Sequence, residues 1–259
     1  MTTKTNITVY SEGTPNGLKI HIALEELGLQ YKLVKIDMFK NEQKEPWFTE
    51  INPNGRIPAI TDKTADGVEL KILESGAILE YLVATYDKNH LISYPYGTKE
   101  HWETISWLMW QMGGLGPMMG QSNFFTRSAV GVHQYSIDRY VNESRRLLRV
   151  LDGHLAKKGC NFVVGDRLTI ADIAIWPWVS ATTSKSAAPG DPCAAKLDAA
   201  AASSISSRVA SLSSSLAATR TTATPTAVRT STSSAGAGAA RPLQTAFAAA
   251  CVLCGVALS

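Results

Sequence analysis

The chain has 259 residues and is 45% hydrophobic, a length that can hold two modest domains. Its formal charge of +3 is unevenly placed: residues 1–181 hold 19 of the 25 Lys+Arg and 20 of the 22 Asp+Glu, a net of about −1. No basic patch is expected in that segment, which argues against nucleic acid as a partner. Residues 1–6 carry neither a basic n-region nor an apolar h-region, so no secretory signal is expected. Cys160 is the one cysteine before residue 182, too few for a disulfide framework, and a cytoplasmic protein is the expectation.

In chain order, residues 7–10 read as a strand and residues 11–17 as a loop. A helix follows with Ile20, Ala23, Leu24 and Leu27 on one face and Gly28 as its stop. Residues 31–37 read as a second strand, residues 46–48 as an irregular stretch, and residues 56–60 as a third strand. Asp66-Gly67 turns the chain into a fourth, residues 68–73. Ser75 then opens a helix carrying Ile78, Leu79, Leu82 and Tyr86. The order is βαβ followed by ββα.

From Lys99 the pattern is helical. Trp102, Ile105, Leu108 and Met109 are expected to share one stripe, and Ile137, Tyr140, Val141, Ser144, Leu148, Leu151 and Leu155 another. Thr169-Ile170-Ala171-Asp172 resembles a capping box, with Asp standing where Glu or Gln is usual, and Pro177 predicts a kink in the helix it opens. Residues 182–259 break from this composition: 46 of the 78 are Ala, Ser or Thr, and Phe247 is the one aromatic. So little large apolar surface cannot offset the entropy of ordering, and a largely disordered tail is expected. Cys251 and Cys254 have thioredoxin spacing but no preceding strand, and the apolar run near them is too short to cross a bilayer.

Glu74 and Ser75 stand where a strand gives way to a helix, whose free N–H groups and dipole favour an anion. Upstream, Arg56-Ile57-Pro58 limits sheet pairing and leaves a backbone edge for a peptide-like ligand. Together they predict a site for a small, charged, peptide-like molecule. The plain alternative is a helix cap with a first-turn acid. Asn16-Gly17 reads equally as a turn pair, and Arg139 beside Glu143 as a solvated ion pair. Gly113-Gly114-Leu115-Gly116 follows a helical pattern and lacks a downstream Lys-Ser/Thr, so it is not read as a phosphate loop.

Taken together, Thr14-Pro15-Asn16-Gly17, residues 52–60, residues 74–79 and residues 110–121 resemble the glutathione transferase superfamily, in its bacterial nu class and fungal nitrogen-regulator-like branch. The resemblance covers roughly residues 5–181. It implies a thioredoxin-like α/β domain over residues 5–88 that binds glutathione. An all-α domain would follow over residues 97–181, its last helices replaced by the tail at 182–259, with a homodimer as the usual assembly. It further implies a cis Ile57–Pro58 bond with the Ile57 backbone pairing to the cysteinyl part of glutathione. Glu74 would take the γ-glutamyl ammonium and Ser75 its carboxylate, with Gln43 and Arg56 near the glycyl end and Arg139 reaching in from the helical domain.

Thr14 and Asn16 are the candidate catalytic residues, since either can donate a hydrogen bond to the glutathione sulfur. That loop holds no cysteine, so any disulfide exchange would use the sulfur of glutathione itself. The implied activity is glutathione-dependent reduction of a small disulfide, with conjugation of electrophiles or peroxide reduction secondary. Glutathione would be a cosubstrate, and neither a metal nor a membrane partner is expected. A non-catalytic regulator on the same fold is the competing reading.

Overall fold

The computed structural model describes residues 3–64, 66–159 and 161–183, with side chains to Ser180. These residues divide after Leu82 into two units. The tail, Cys160 and the Cys251–Cys254 pair lie outside the described residues.

In the first unit, β1 (Thr8–Ser11), β2 (Lys32–Lys35), β3 (Ala59–Lys63) and β4 (Glu69–Leu73) form one sheet in the order β2-β1-β3-β4. β1 and β2 run parallel, whereas β3 is antiparallel to β1 and β4. Between the first two strands lies α1 (Pro15–Glu26), and α3 (Ser75–Tyr86) follows β4. Proline at the first position suits α1, because an N–H there would have no helical partner. Gly28, at φ 62°, ends the helix in the left-handed conformation. Ile7 and Val9 pack in the core with Ile20, Ala23 and Leu24 of α1, Ile60 of β3, and Ile78, Leu79 and Leu82 of α3. A second cluster joins Ile36, Phe48 and Ala59, with Tyr10, Val34, Ile51 and Ile57 against it.

Three boundaries differ from the sequence reading. Pro15, Asn16 and Gly17 belong to the first turn of α1 rather than to a loop, because Thr14 caps the helix: its Oγ1 accepts from Gly17 N at 3.2 Å. Pro46–Thr49 is a short helix, α2, entered by two 3₁₀ turns. Residues 56–58 lie outside β3, which extends to Lys63; Pro58 has no N–H to offer a ladder, and the Arg56 carbonyl accepts from Asn52 Nδ2 at 2.7 Å instead.

The second unit contains α4 (Lys99–Trp110), α5 (Gly116–Arg127), α6 (Gln134–Lys158) and α7 (Ile170–Thr183). α5 is a separate element that the sequence reading did not name. A single π-helical turn, Gln111–Leu115, joins it to α4. Pro117 cannot donate a backbone hydrogen bond, and Gly113, Gly114 and Gly116 offer no side-chain resistance to widening there. Gly116 and Gly120 leave a flat surface against Trp178: a Cβ at either would lie 3.4 or 3.5 Å from the indole.

The stripe expected on α4 is corrected. Thr104 and Leu108 are buried, while Trp102 and Met109 are half exposed, because the buried face continues through Gln111 and Leu115. On α6 the expected stripe holds through Val141, Ser144, Leu148, Leu151 and Leu155, joined by Leu147. α7 opens with one half of the expected capping box: Asp172 accepts from the Thr169 N–H at 2.9 Å, and the Thr169 hydroxyl donates to the same carboxylate at 2.8 Å. Among the described residues no helix is long and apolar enough to cross a membrane.

Candidate functional site

Strand register assembles the candidate site. Tyr10 pairs with Ala59, and Ala59 with Leu73, so these three residues form one row across β1, β3 and β4. Beyond that row the chain continues, at the same end of the sheet, into the loop before α1, back from Ala59 to Pro58 and Ile57, and on to Glu74 and Ser75. β2 is parallel to β1 with Ser11 opposite Lys35, so the segment leading to Gln43 leaves at this end too. Seven of the eight residues expected to act together therefore arise from one end of one sheet. Arg139 lies in the second unit, exposed on α6.

The Ile57–Pro58 peptide is cis, as expected. Ser75 is buried and begins α3, whereas Glu74 is exposed. Glu74 has φ 69°, a left-handed conformation uncommon for a residue with a side chain. Such corners cluster at ligand sites.

Thr14 and Asn16 are partly exposed at the start of α1. The Thr14 oxygen is occupied by the helix N–H, yet its hydroxyl hydrogen remains a donor. The turn-pair reading of Asn16-Gly17 does not hold; both are helical. Gly17 is required by space: a Cβ would lie 2.3 Å from the Glu12 carbonyl oxygen and 2.4 Å from Ser11 Oγ.

Gln43 is buried in a 3₁₀ turn, its Nε2 3.5 Å from Asn41 Oδ1 and its Oε1 without a hydrogen-bond partner. Its main chain lies against Gly55, where a Cβ would come within 2.9 Å of the Gln43 carbonyl. This contact brings the Gln43 turn to the loop that carries exposed Arg56. Glu143 is held by Arg146, through Nε at 2.8 Å and Nη2 at 2.7 Å, and the Arg139 charge acts on the same carboxyl, helping to hold it below the usual range.

One functional candidate escaped the sequence reading. Lys19 is fully buried on α1, and its Nζ donates to Ser75 Oγ at 3.2 Å. Burial pulls its pKa down to about 7, opposed by the Glu74 charge. The available signal was its spacing: Lys19 stands four residues before Ala23, on the face that also carries Ile20 and Leu24. Among the described residues no group of three His, Cys, Asp or Glu side chains is placed to hold a metal ion.

A four-stranded mixed sheet with a cis-proline beside a helix N-terminus, followed by a helical unit, is the thioredoxin-like arrangement expected from the sequence. Comparison with known proteins narrows it. Residues 5–84 match the glutathione S-transferase N-terminal domain and residues 134–184 the C-terminal domain of the same family. The chain is 46% identical over 179 residues to disulfide-bond oxidoreductase YfcG of Escherichia coli, covering 68% of this chain and 80% of that one. It is 39% identical over 176 residues to disulfide-bond oxidoreductase YghU of the same organism, covering 66% of this chain and 59% of the relative.

A solved glutathione transferase of Pseudomonas putida, with one glutathione disulfide bound per subunit, is 38% identical with a TM-score of 0.69, covering 80% of this chain and 86% of its own. A glutathione transferase homologue of Lodderomyces elongisporus, with two glutathione molecules per subunit, is 40% identical with a TM-score of 0.67, covering 77% and 96%. The chain belongs to the glutathione S-transferase family.

Proposed function

We propose that the protein is a glutathione-dependent disulfide reductase. The observation that carries this reading is the row Tyr10, Ala59 and Leu73, which sets Ile57, Glu74–Ser75 and the Thr14–Asn16 turn at one end of the sheet. It is joined by the absence of cysteine from the turn that opens α1. The names of the two Escherichia coli relatives and the glutathione disulfide bound by the Pseudomonas putida protein support the same chemistry. In this reading residues 5–88 are the glutathione-binding domain and residues 97–181 the helical domain.

The Ile57 backbone pairs with the cysteinyl unit of glutathione. Glu74 accepts its ammonium group, and Ser75 with the first turn of α3 holds its α-carboxylate. Gln43 and Arg56 meet the glycyl end. Thr14 and Asn16 donate to the sulfur and favour the thiolate, the form that attacks. The thiolate forms a bond to one sulfur of the substrate disulfide and expels the other as a thiolate, which takes a proton from solvent. A second glutathione thiolate attacks the mixed disulfide, releases the remaining substrate thiol and leaves glutathione disulfide. Two glutathione molecules are consumed for each disulfide reduced.

A homodimer belongs to the same proposal, supported by the half-exposed Trp102 and Met109 on α4. The test is reduction of 2-hydroxyethyl disulfide by glutathione, wild type beside Asn16→Ala and Ser75→Ala. Turnover that collapses in Ser75→Ala and falls in Asn16→Ala is expected. An inactive protein that still melts cooperatively would make it a binding protein on this fold instead.

A further inference from the structure

The turn between α5 and α6 carries its apolar residues on the outside. Val130 is 95% exposed and Val132 84%, with Tyr135 exposed beyond them and Phe124 half exposed near the end of α5. Single exposed apolar side chains are ordinary on a protein surface, but four within twelve residues form a patch, and patches mark contact surfaces. We propose that this turn, with the exposed face of α6 that continues from it, is a docking surface for an anionic lipid layer. Val130 and Val132 enter the headgroup region, and arginines along α6 meet the lipid phosphates.

Local structure holds the valines out. α5 and α6 pack along one another and six residues join them, so the turn stands at the end of a helical hairpin. The Phe124 carbonyl accepts from the N–H groups of Ser128 at 2.8 Å and Ala129 at 2.9 Å, closing α5. Gly131, at φ 81°, turns the chain back, and His133 Nε2 donates to the Val130 carbonyl at 2.9 Å. The His133 ring meets Phe125 edge-on with centroids 5.8 Å apart, and Phe125 stacks on Tyr140 at 5.5 Å. These contacts fix the turn and leave both valines outside it. An apolar tip already ordered has little conformational entropy to lose on contact.

Charge identifies the occupant. No Asp or Glu stands between Phe124 and Ile137, while Arg127 ends α5. Beyond Tyr135 the exposed face of α6 carries Arg139, Arg146 and Arg149, opposite the buried Val141, Ser144, Leu148 and Leu151. Residues 124–149 hold five arginines against Asp138 and Glu143, a net of +3. Residues 1–181 as a whole carry about −1, so positive charge is concentrated on this hairpin and the chain average conceals it. Both carboxylates are engaged, Asp138 by Gln134 at 2.8 Å and Glu143 by Arg146 at 2.7 Å.

An apolar tip with a phenol at its edge and arginines along the adjoining helix suits a surface that lies on a bilayer without crossing it. Arg139 stands one turn beyond Tyr135, whereas Arg146 and Arg149 lie about 17 and about 21 Å along the axis, so α6 must lean onto the layer for all three to reach it. A convex turn offers no groove to a partner's side chain, but a lipid layer closes around whatever enters it.

The experiment is co-sedimentation of the full chain with vesicles of phosphatidylcholine alone or with one quarter phosphatidylserine, at low and at physiological salt. Retention is expected on the anionic vesicles only, weakening several-fold as salt screens the arginines. Val130→Asp combined with Val132→Asp is expected to lose at least about tenfold in binding, since two apolar side chains give way to charges of the lipid's own sign. Both positions are exposed, so the Tm of this variant should match the parent. Arg127→Gln combined with Arg149→Gln is expected to lose about tenfold and to flatten the salt dependence.

Equal retention on neutral vesicles, or none on either kind, would overturn the proposal. Undiminished binding by the valine variant would overturn it too, by moving the contact to another part of the chain. A parent that ignores vesicles but forms a dimer, which the valine variant splits, would make the turn a contact between two copies instead. The arginine pair decides the matter if the valine pair does not fold.

Discussion

One oxygen of Asp172 accepts two hydrogen bonds from Thr169, from its backbone N–H at 2.9 Å and its hydroxyl at 2.8 Å. The other oxygen accepts from Val163 N at 2.8 Å, tying the loop before α7 to the helix it precedes. An Asn at this position has one acceptor oxygen for three donors and turns an amide toward the rest. Asp172→Asn is therefore expected to cost about 1–3 kcal/mol and lower the Tm by several degrees, as measured by thermal melting at pH 7.5, where the carboxyl is ionised.

The gap between parent and variant should be larger still in acid. Burial pushes the Asp172 carboxyl up to about 6, outweighing the hydrogen bonds and the Lys158 charge that lower it. The folded pKa is above the unfolded one, so the folded state binds the proton more tightly. Its contribution is complete below about pH 4 and is lost as pH rises through 6. The gap between wild type and Asp172→Asn should narrow between pH 4.5 and 7.5, and a gap that widened would contradict the burial argument.

His21 works in the opposite direction. Its Nδ1 lies 3.3 Å from the Tyr31 hydroxyl, which donates to Glu25 Oε1 at 3.2 Å. Burial lowers the His21 pKa to about 4, against the Glu12 charge that raises it. A depressed pKa means stability present above pH 6.5 and lost as pH falls toward 4. His21→Gln is expected to flatten the acid limb of a Tm-against-pH curve. Because Asp172 and His21 oppose one another over this range, the wild-type curve alone reveals neither, and the difference between variant and parent is the quantity to measure.

Gly17→Ala is expected to damage binding and stability together. The added methyl would meet backbone oxygen at 2.3 Å, so the turn that carries Thr14 must shift. Overpacking of this kind costs about 1–3 kcal/mol. A loss of several degrees in Tm, with weakened retention on immobilised glutathione, is the expected result. If Glu74 holds the glutathione ammonium as proposed, Glu74→Gln should instead raise the KM for glutathione at least tenfold, with little change in Tm because the side chain is exposed.

The strands and the two long helices of the first unit were legible in the sequence because each is marked locally. Thr14-Pro15 starts a helix, Gly28 stops it, and Asp66-Gly67 turns a hairpin. The boundary at Arg56 was misread because β-propensity does not reveal where a ladder loses its donor. Lys19 was missed because charge was taken as a mark of the surface, although its helical position placed it inside. On α4 the error was in which residues share the buried face: Leu108 is buried as expected, but Thr104 joins it, while Trp102 and Met109 are half exposed. The π turn has no period to read at all, since it interrupts one.

The shared row of Tyr10, Ala59 and Leu73 makes the ligand a gauge of how the strands are seated. Sliding β3 by one residue would carry Ile57 about 3.3 Å along the sheet and turn Ile60 from the interior to the opposite face. Such a chain could keep its strands and much of its circular dichroism, yet Ile57 would no longer face the same partner as Ser75. Retention on immobilised glutathione would thus sort correctly aligned molecules from misaligned ones, where a spectrum would count them alike.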